Sequence, residues 1–254
     1  MKILIPSHRR AATITTHRLL KNFAVCVPES QADDYRAVEG IGSANVVTHP
    51  DSIIGLTPKL NWMLDQLGDA EGIVFLDDDL EYLCRCFTDP TEAASRKITE
   101  PETIERIIRQ TFDLAAGAGA FYFGWESSEA TIRYYSGLEP FKLTGSINGC
   151  AMGFLTGHGL RFDERIVAKN DYDIAASNAY RHHLCFRDTR YAFCQRETFT
   201  GAGGQSFYRN SDTERRDVAL LVEKYGDAIQ VGKQGGTRKR DYAGAMKVTL
   251  KLPF

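Results

Sequence analysis

The chain has 254 residues, of which 43% are apolar and 25% charged, and a formal net charge of -2. That length supports one large domain or two small ones with a sizeable core, and the near-neutral balance excludes binding to nucleic acid through bulk positive charge. No run approaches the roughly 18 consecutive apolar residues of a membrane span, and the opening MKILIPSHRR reads as a strand and basic turn rather than a signal peptide, so a cytoplasmic protein with no membrane partner is expected.

Short apolar runs at residues 2–5, 24–27, 45–48 and 72–76 have the continuous character of strands buried on both faces. Helical patterns lie between them. Residues 13–23 carry Ile14, Leu19 and Leu20; Ser30, with Asp33 three residues on, caps a helix over 31–39. Thr57 caps the next, with Pro58 in the first helical position, Leu60, Met63, Leu64 and Leu67 on one face and Gly68 as the stop. The alternation β-α-β-α-β-α-β is the signature of a doubly wound α/β unit.

Further along, Ile104, Ile107, Ile108, Phe112 and Ala115 mark a helix over 103–116, and residues 120–125 and 150–155 read as strands. Residues 170–180 read as a helix and 183–187 with 191–195 as a strand pair. Ser211 with Glu214 forms a capping box for a helix ending near Gly226, and the basic stretch 233–240 is a loop. The six cysteines, Cys26, Cys84, Cys86, Cys150, Cys185 and Cys194, sit among apolar residues and are expected to be buried thiols. No internal repeat or linker interrupts the chain.

The strongest chemical signal is IVFLDDDL at 73–80: a buried strand that ends in Asp77, Asp78 and Asp79. Adjacent carboxylates repel and are costly to desolvate, so they fit a place where a divalent cation sits. Alternate residues at a strand end face one side, which pairs Asp77 with Asp79 as hard oxygen ligands for Mg²⁺ or Mn²⁺. The alternative is a solvated acidic turn. The small-residue stretch 144–153, TGSINGCAMG, either admits a substrate close to the backbone or packs one strand tightly against another.

His182, His183, Cys185 and Cys194 invite a zinc reading, but adjacent histidines on a strand face opposite ways and no C-x-x-C pair completes a tetrahedron. The glycine-rich stretch 200–206 lacks the P-loop lysine and reads as a lid in which Gly203 and Gly204 approach a substrate. Residues 227–254 carry six Lys or Arg against two Asp, so Lys233, Arg238, Lys239 and Arg240 are candidates to meet a diphosphate or nucleic-acid phosphates, or else form a solvated tail.

Taken together, the Pro6-Ser7-His8-Arg9-Arg10 turn after the first strand, Gly55-x-x-x-Lys59-x-Asn61 and strand-Asp77-Asp78-Asp79 resemble a GT-A glycosyltransferase, over 2–82 closely and 144–180 in outline. The resemblance implies a Rossmann-like nucleotide-sugar-binding sheet with a mixed acceptor-side half in a single domain: a donor half at 1–82, an acceptor half at 83–226 and a basic tail at 227–254. It implies that Pro6, Ser7, Arg9, Arg10, Lys59, Asp77 and Asp78 hold the donor and that Asp77 and Asp79 reach the metal. It also implies a late histidine ligand, at 158 or 182–183, and a catalytic base opening a helix. Here that helix opens Asn170-Asp171, so Asp171 is the candidate base, with Asp173 in support; the alternative for Asp171 is a helix cap. IPSHRR, Thr48-His49-Pro50, KLNWMLD and FLDDDL are similar to the TET-associated glycosyltransferases of phages and kinetoplastids. That narrower resemblance implies a UDP-hexose donor and a hydroxymethylated pyrimidine in DNA as acceptor, with Tyr134, Tyr135, Phe207 or Tyr208 stacking on a flipped base. The other readings are a saccharide acceptor, a nucleotidyltransferase, disfavoured by the absence of a glycine-rich loop after the first strand, and a silent GT-A binding module.

Overall fold

The computed structural model describes residues 1–88, 91, 93–126, 137–195, 210–232 and 248–251. Four parallel strands form one half of a ten-stranded sheet: β1 (Lys2–Pro6), β2 (Ala24–Pro28), β3 (Val46–His49) and β4 (Gly72–Leu76), in spatial order β3-β2-β1-β4. Side chains alternate between two cores. Ile3, Ile5, Val25, Val27, Val74 and Leu76 enter one, while Leu4, Cys26, Ile73 and Phe75 enter the other. Both faces are covered, which is why these strands carry continuous apolar runs.

The helices divide between the faces. α1 (Ala32–Arg36) and α4 (Pro101–Gly117) close the first core through Tyr35 and through Ile104, Ile107, Ile108 and Phe112. On the other face, α2 (Leu56–Asp65) brings Leu60, Met63 and Leu64, and α5 (Asn170–His182) brings Ile174 and Ala175. α3 (Ala93–Arg96) is a single turn.

Beyond β4 the sheet is mixed, in the order β4-β9-β7-β10-β5-β6. These strands are β5 (Leu80–Arg85), β6 (Lys97–Ile98), β7 (Tyr122–Glu126), β9 (Ala151–Leu155) and β10 (Phe186–Gln195), with β8 (Phe141–Lys142) beside β10. β9 runs antiparallel to β4, so Ala151 lies opposite Leu76 and Leu155 opposite Gly72. Gly153 is there for packing: a Cβ at this position would come within 2.1 Å of the Phe123 ring. α6 (Ser211–Tyr225) and the two-stranded sheet of β11 (Ile229–Val231) and β12 (Val248–Leu250) lie last.

Several local expectations are corrected. Residues 13–23 form only one 3-10 turn, Thr16–Leu19, because Thr15 and Thr16 bond to the turn after β4 rather than within a helix. Ser30 does not cap α1; its hydroxyl bonds Asp51 at 2.8 Å. Thr57 is inside α2, and its hydroxyl donates to Ile166 O at 2.7 Å, while Gly55 at φ 93° precedes the helix. Residues 186–195 form one strand, not a pair, with the Asp188 carboxylate buried and held by Arg190 at 3.0 and 2.8 Å. The capping box of α6 is Asn210 with Thr213; Glu214 is fully buried and paired with Lys169 at 3.0 Å. All six cysteines are buried and unbridged, as expected.

Candidate active site

The strand order reverses at β1, which has β2 on one side and β4 on the other. In open α/β sheets the crevice at the carboxyl ends of such strands takes the ligand. Here it is formed by Ser7, after β1, and by Asp77, Asp78 and Asp79, after β4.

The acidic turn is held from below by the segment expected to be helical. The Thr15 N–H donates to Asp78 O at 2.9 Å, and the Thr16 hydroxyl donates to Asp77 O at 2.5 Å while accepting the Leu80 N–H at 2.9 Å. The Thr15 hydroxyl adds a bond to Leu80 O at 2.8 Å. Asp78 turns towards the β1 loop: it is 5% exposed, accepts a bond from the Ser7 hydroxyl and pairs with Arg10 Nη1 at 2.8 Å. The Ser7 hydroxyl also meets Tyr35 Oη at 2.6 Å, and that oxygen accepts the Arg10 N–H at 3.0 Å.

Asp77 and Asp79 face each other across one point. Gln195 Nε2, from the end of β10, donates to Asp77 Oδ2 at 2.8 Å and to Asp79 Oδ1 at 3.0 Å. Burial, then repulsion from Asp79 and Asp78, pushes the Asp77 carboxyl well above the usual range; burial and then Asp78 raise Asp79. Two oxygens converging on one point, their carboxyls raised by burial and by neighbouring carboxylates even with Arg10 Nη1 3.3 Å from Asp79 Oδ2, fit a hard divalent cation. Mg²⁺ is commonly held by one or two carboxylates together with waters and substrate phosphates. Among the described residues no set of three His, Cys, Asp or Glu side chains is grouped to hold a metal alone.

The histidines expected as late ligands are elsewhere. β9 descends from Ala151, beside Leu76, to Leu155, beside Gly72, so His158 lies at the opposite end of the sheet. His158 Nδ1 accepts the Leu160 N–H at 2.9 Å, and His182 Nε2 meets His158 O at 2.7 Å. A zinc site built on His182, His183, Cys185 and Cys194 is likewise not assembled.

Lys59, on α2, is 4% exposed and donates to Ser7 O at 2.6 Å; burial lowers it to about 8. Pro6 ends β1, and Arg9 adopts a left-handed backbone, φ 55°, with its N–H donating to Gln31 Oε1 at 2.8 Å. A non-glycine residue in this region marks a loop fixed by its surroundings.

Asp171 is the second residue of α5, not its cap, and it remains partly exposed. Gly149 packs against it: a Cβ there would lie 3.5 Å from the Asp171 Cβ. The next residue, Cys150, joins the two acidic groups. Its carbonyl accepts the Asp77 N–H at 2.9 Å, and its thiol is pushed up by burial and by the charges of Asp77, Asp79 and Asp171. Asp173, two residues on, is 1% exposed and occupied by Lys224, by Tyr225 Oη at 2.7 Å and by the Asp163 N–H at 3.0 Å. Gly203, Gly204, Lys233, Arg238, Lys239, Arg240, Tyr134, Tyr135, Phe207 and Tyr208 lie outside the described residues.

Sequence reasoning missed Thr15, Thr16 and Gln195. The threonines read as helix interior, and a neutral glutamine 116 residues from Asp79 has no local signal.

No curated protein sequence matches the chain. Among solved structures the chain is similar to a fragment of S. aureus TarS, residues 1–349, at 11% identity, covering 87% of this chain and 66% of that one with a TM-score of 0.47. The chain thus spans slightly under two thirds of that fragment's length. It is also similar to glucosyl-3-phosphoglycerate synthase from Mycobacterium tuberculosis, at 13% identity, covering 91% of this chain and 83% of that one with a TM-score of 0.52. The likeness to the synthase is one of fold. A family model described as TET-associated glycosyltransferase matches residues 1–204, and the chain belongs to that family.

Proposed function

We propose that the protein is a metal-dependent glycosyltransferase that moves a hexose from a UDP-sugar to a hydroxymethylated pyrimidine in DNA. The observation that carries this reading is the pair Asp77 and Asp79 at the carboxyl end of β4, joined through the Cys150 carbonyl to the segment whose Gly149 packs against Asp171. The similar synthase was solved in complex with Mg²⁺ and UDP, which supports a cation and a nucleotide-sugar donor here.

Residues 1–82 form the donor half and 83–226 the acceptor half. Asp77 and Asp79 would hold the cation, Mg²⁺ or Mn²⁺, and Asp77 would also serve the ribose. A bound cation supplies positive charge to the departing diphosphate. The turn at 6–10 and Lys59 hold the nucleotide, and Arg10 adds charge beside the same carboxylates. Asp171 accepts the proton of the acceptor hydroxyl, whose oxygen attacks the anomeric carbon as its bond to the diphosphate breaks. The electron pair leaves with UDP. Attack from the face opposite the leaving group gives inversion. Asp171 stands in the first turn of α5, where the helix dipole favours a negative charge. Among the described residues no helix is long and apolar enough to cross a membrane; a cytoplasmic enzyme would meet both nucleotide sugars and DNA.

The test incubates the protein and Mn²⁺ with UDP-glucose, UDP-galactose, UDP-N-acetylglucosamine or GDP-mannose. DNA containing 5-hydroxymethylcytosine or 5-hydroxymethyluracil is added or withheld. The expected result is a mass gain of one sugar on the DNA, abolished by Asp79→Ala. Donor hydrolysis without DNA modification moves the acceptor to a saccharide or other hydroxyl. Silence with every donor from folded protein overturns the enzyme reading in favour of a binding module.

A further inference from the structure

Gln195 ends β10 opposite Leu80, immediately after an irregularity in the strand register between Cys194 and Gln195. From there its side chain reaches the acidic turn. The two hydrogens of its amide nitrogen are both used, one on Asp77 Oδ2 at 2.8 Å and one on Asp79 Oδ1 at 3.0 Å. The nitrogen, a donor only, thus faces both carboxylates, whose oxygens accept from it. The amide nitrogen therefore stands at the point where positive charge is most strongly attracted.

That arrangement cannot persist with a cation between the carboxylates, because N–H groups repel it. The carboxamide has nearly the same shape when turned over, and its terminal torsion is broad and roughly two-fold. A half-turn brings Oε1 to face the cation without any movement of the backbone. We propose that Gln195 is a third protein ligand of the cation, exchanging Nε2 for Oε1 when the metal binds. This rests on the assignment of Asp77 and Asp79 as cation ligands. The resulting donor set is oxygen throughout, which suits Mg²⁺ and Mn²⁺ and leaves positions for water and diphosphate oxygens.

The same side chain acts in opposite senses in the two states. Metal-free, its N–H groups compete with the cation; metal-bound, its carbonyl holds it. Gln195→Leu removes both effects, whereas Gln195→Glu removes the competing donor and keeps an oxygen ligand. Mn²⁺ is the probe, titrated without donor and followed by the electron paramagnetic resonance signal of the free ion, with thermal melting in parallel. Gln195→Glu is expected to bind Mn²⁺ about 10-fold more tightly than the wild type, and Gln195→Leu about 10-fold or more weakly. In melting, Mn²⁺ is expected to raise the transition of Gln195→Glu furthest and that of Gln195→Leu least. Binding by folded Gln195→Leu equal to or tighter than the wild type overturns the proposal and leaves the amide as a competitor only. So does loss of binding in a folded Gln195→Glu. If Asp77→Asn and Asp79→Asn leave Mn²⁺ binding unchanged, the cation site itself is elsewhere; if those two lose it and the Gln195 variants do not, only the role of Gln195 falls.

Discussion

Asp171 and Asp173 are two residues apart in the first turn of α5, yet their surroundings separate them. Asp173 is 1% exposed and held by Lys224, Tyr225 and the Asp163 amide. Asp171 stays partly exposed beside Gly149, on the side where Cys150 senses both acidic groups. Asp171→Asn is therefore expected to lower kcat by about 10²- to 10⁴-fold, the usual contribution of a positioned base, with Mn²⁺ affinity unchanged. Asp173→Asn is expected to act on stability instead, at a cost of about 1–3 kcal/mol, because it weakens the buried acceptor of Tyr225, Lys224 and the Asp163 N–H, while Lys224 keeps Asp163 at 3.1 Å. Steady-state kinetics and urea unfolding on both variants check the pair. Equal losses of kcat would make the first turn a structural unit rather than the seat of a base. At this scale the sequence was legible where charge broke an apolar pattern, as at Asp77 and Asp79. It was not legible at Gln195, which is neutral and reaches the turn only through β10.

The elements tell the same story through their hydrogen bonds. The strands from β1 to β4 were legible because burial on both faces leaves an unbroken apolar run, and α4 because Ile104, Ile107, Ile108 and Phe112 keep a helical period. Residues 13–23 had comparable apolar spacing, but the backbone and hydroxyls of Thr15 and Thr16 bond to a turn more than 60 residues away. Local pattern carries no trace of such a partner. Likewise Asp188, which reads as a turn residue, lies inside β10 because Arg190 and Thr111 satisfy its carboxylate. Thr16→Val keeps the shape and deletes the bonds to Asp77 O and Leu80 N. It is expected to cost about 1–3 kcal/mol and to weaken Mn²⁺ binding, read by denaturation and by the manganese titration. Unchanged Mn²⁺ affinity would mean that the turn holds its form without this clamp. The far end of β9 has a different sensitivity. Burial lowers His158 to about 4 against 6.5 in an unfolded chain. Between those values the unfolded state takes the proton and the folded state does not. Its contribution is full above pH 6.5 and is lost as pH falls through 4, by up to about 3 kcal/mol. His158→Asn is expected to flatten that part of the stability curve, and a slope identical to the wild type would show that other groups produce it.

Across the whole molecule, charge is divided unevenly. The net charge is -2, and residues 227–254 alone carry +4, which leaves -6 on residues 1–226. The part of the chain that holds the candidate site would repel a polyanion at long range, so a DNA acceptor would have to be held through the tail. Phosphate contacts release counterions, and each one steepens the salt dependence of binding by about 0.9 in a log–log plot. Replacing Lys233, Arg238, Lys239 and Arg240 with glutamine is expected to reduce that slope by about 2–4 and to raise the KM for DNA. Donor hydrolysis in the absence of DNA separates the two roles of the tail: unchanged hydrolysis assigns these residues to DNA, and a loss assigns them to the donor diphosphate. Modification of hydroxymethylated DNA measured from 50 to 200 mM salt, in wild type and variant, decides the matter. Parallel salt curves would remove the tail from DNA binding. With a body at -6, they would also weaken DNA as the acceptor and strengthen the case for a small or neutral hydroxyl compound, whose capture needs no basic surface.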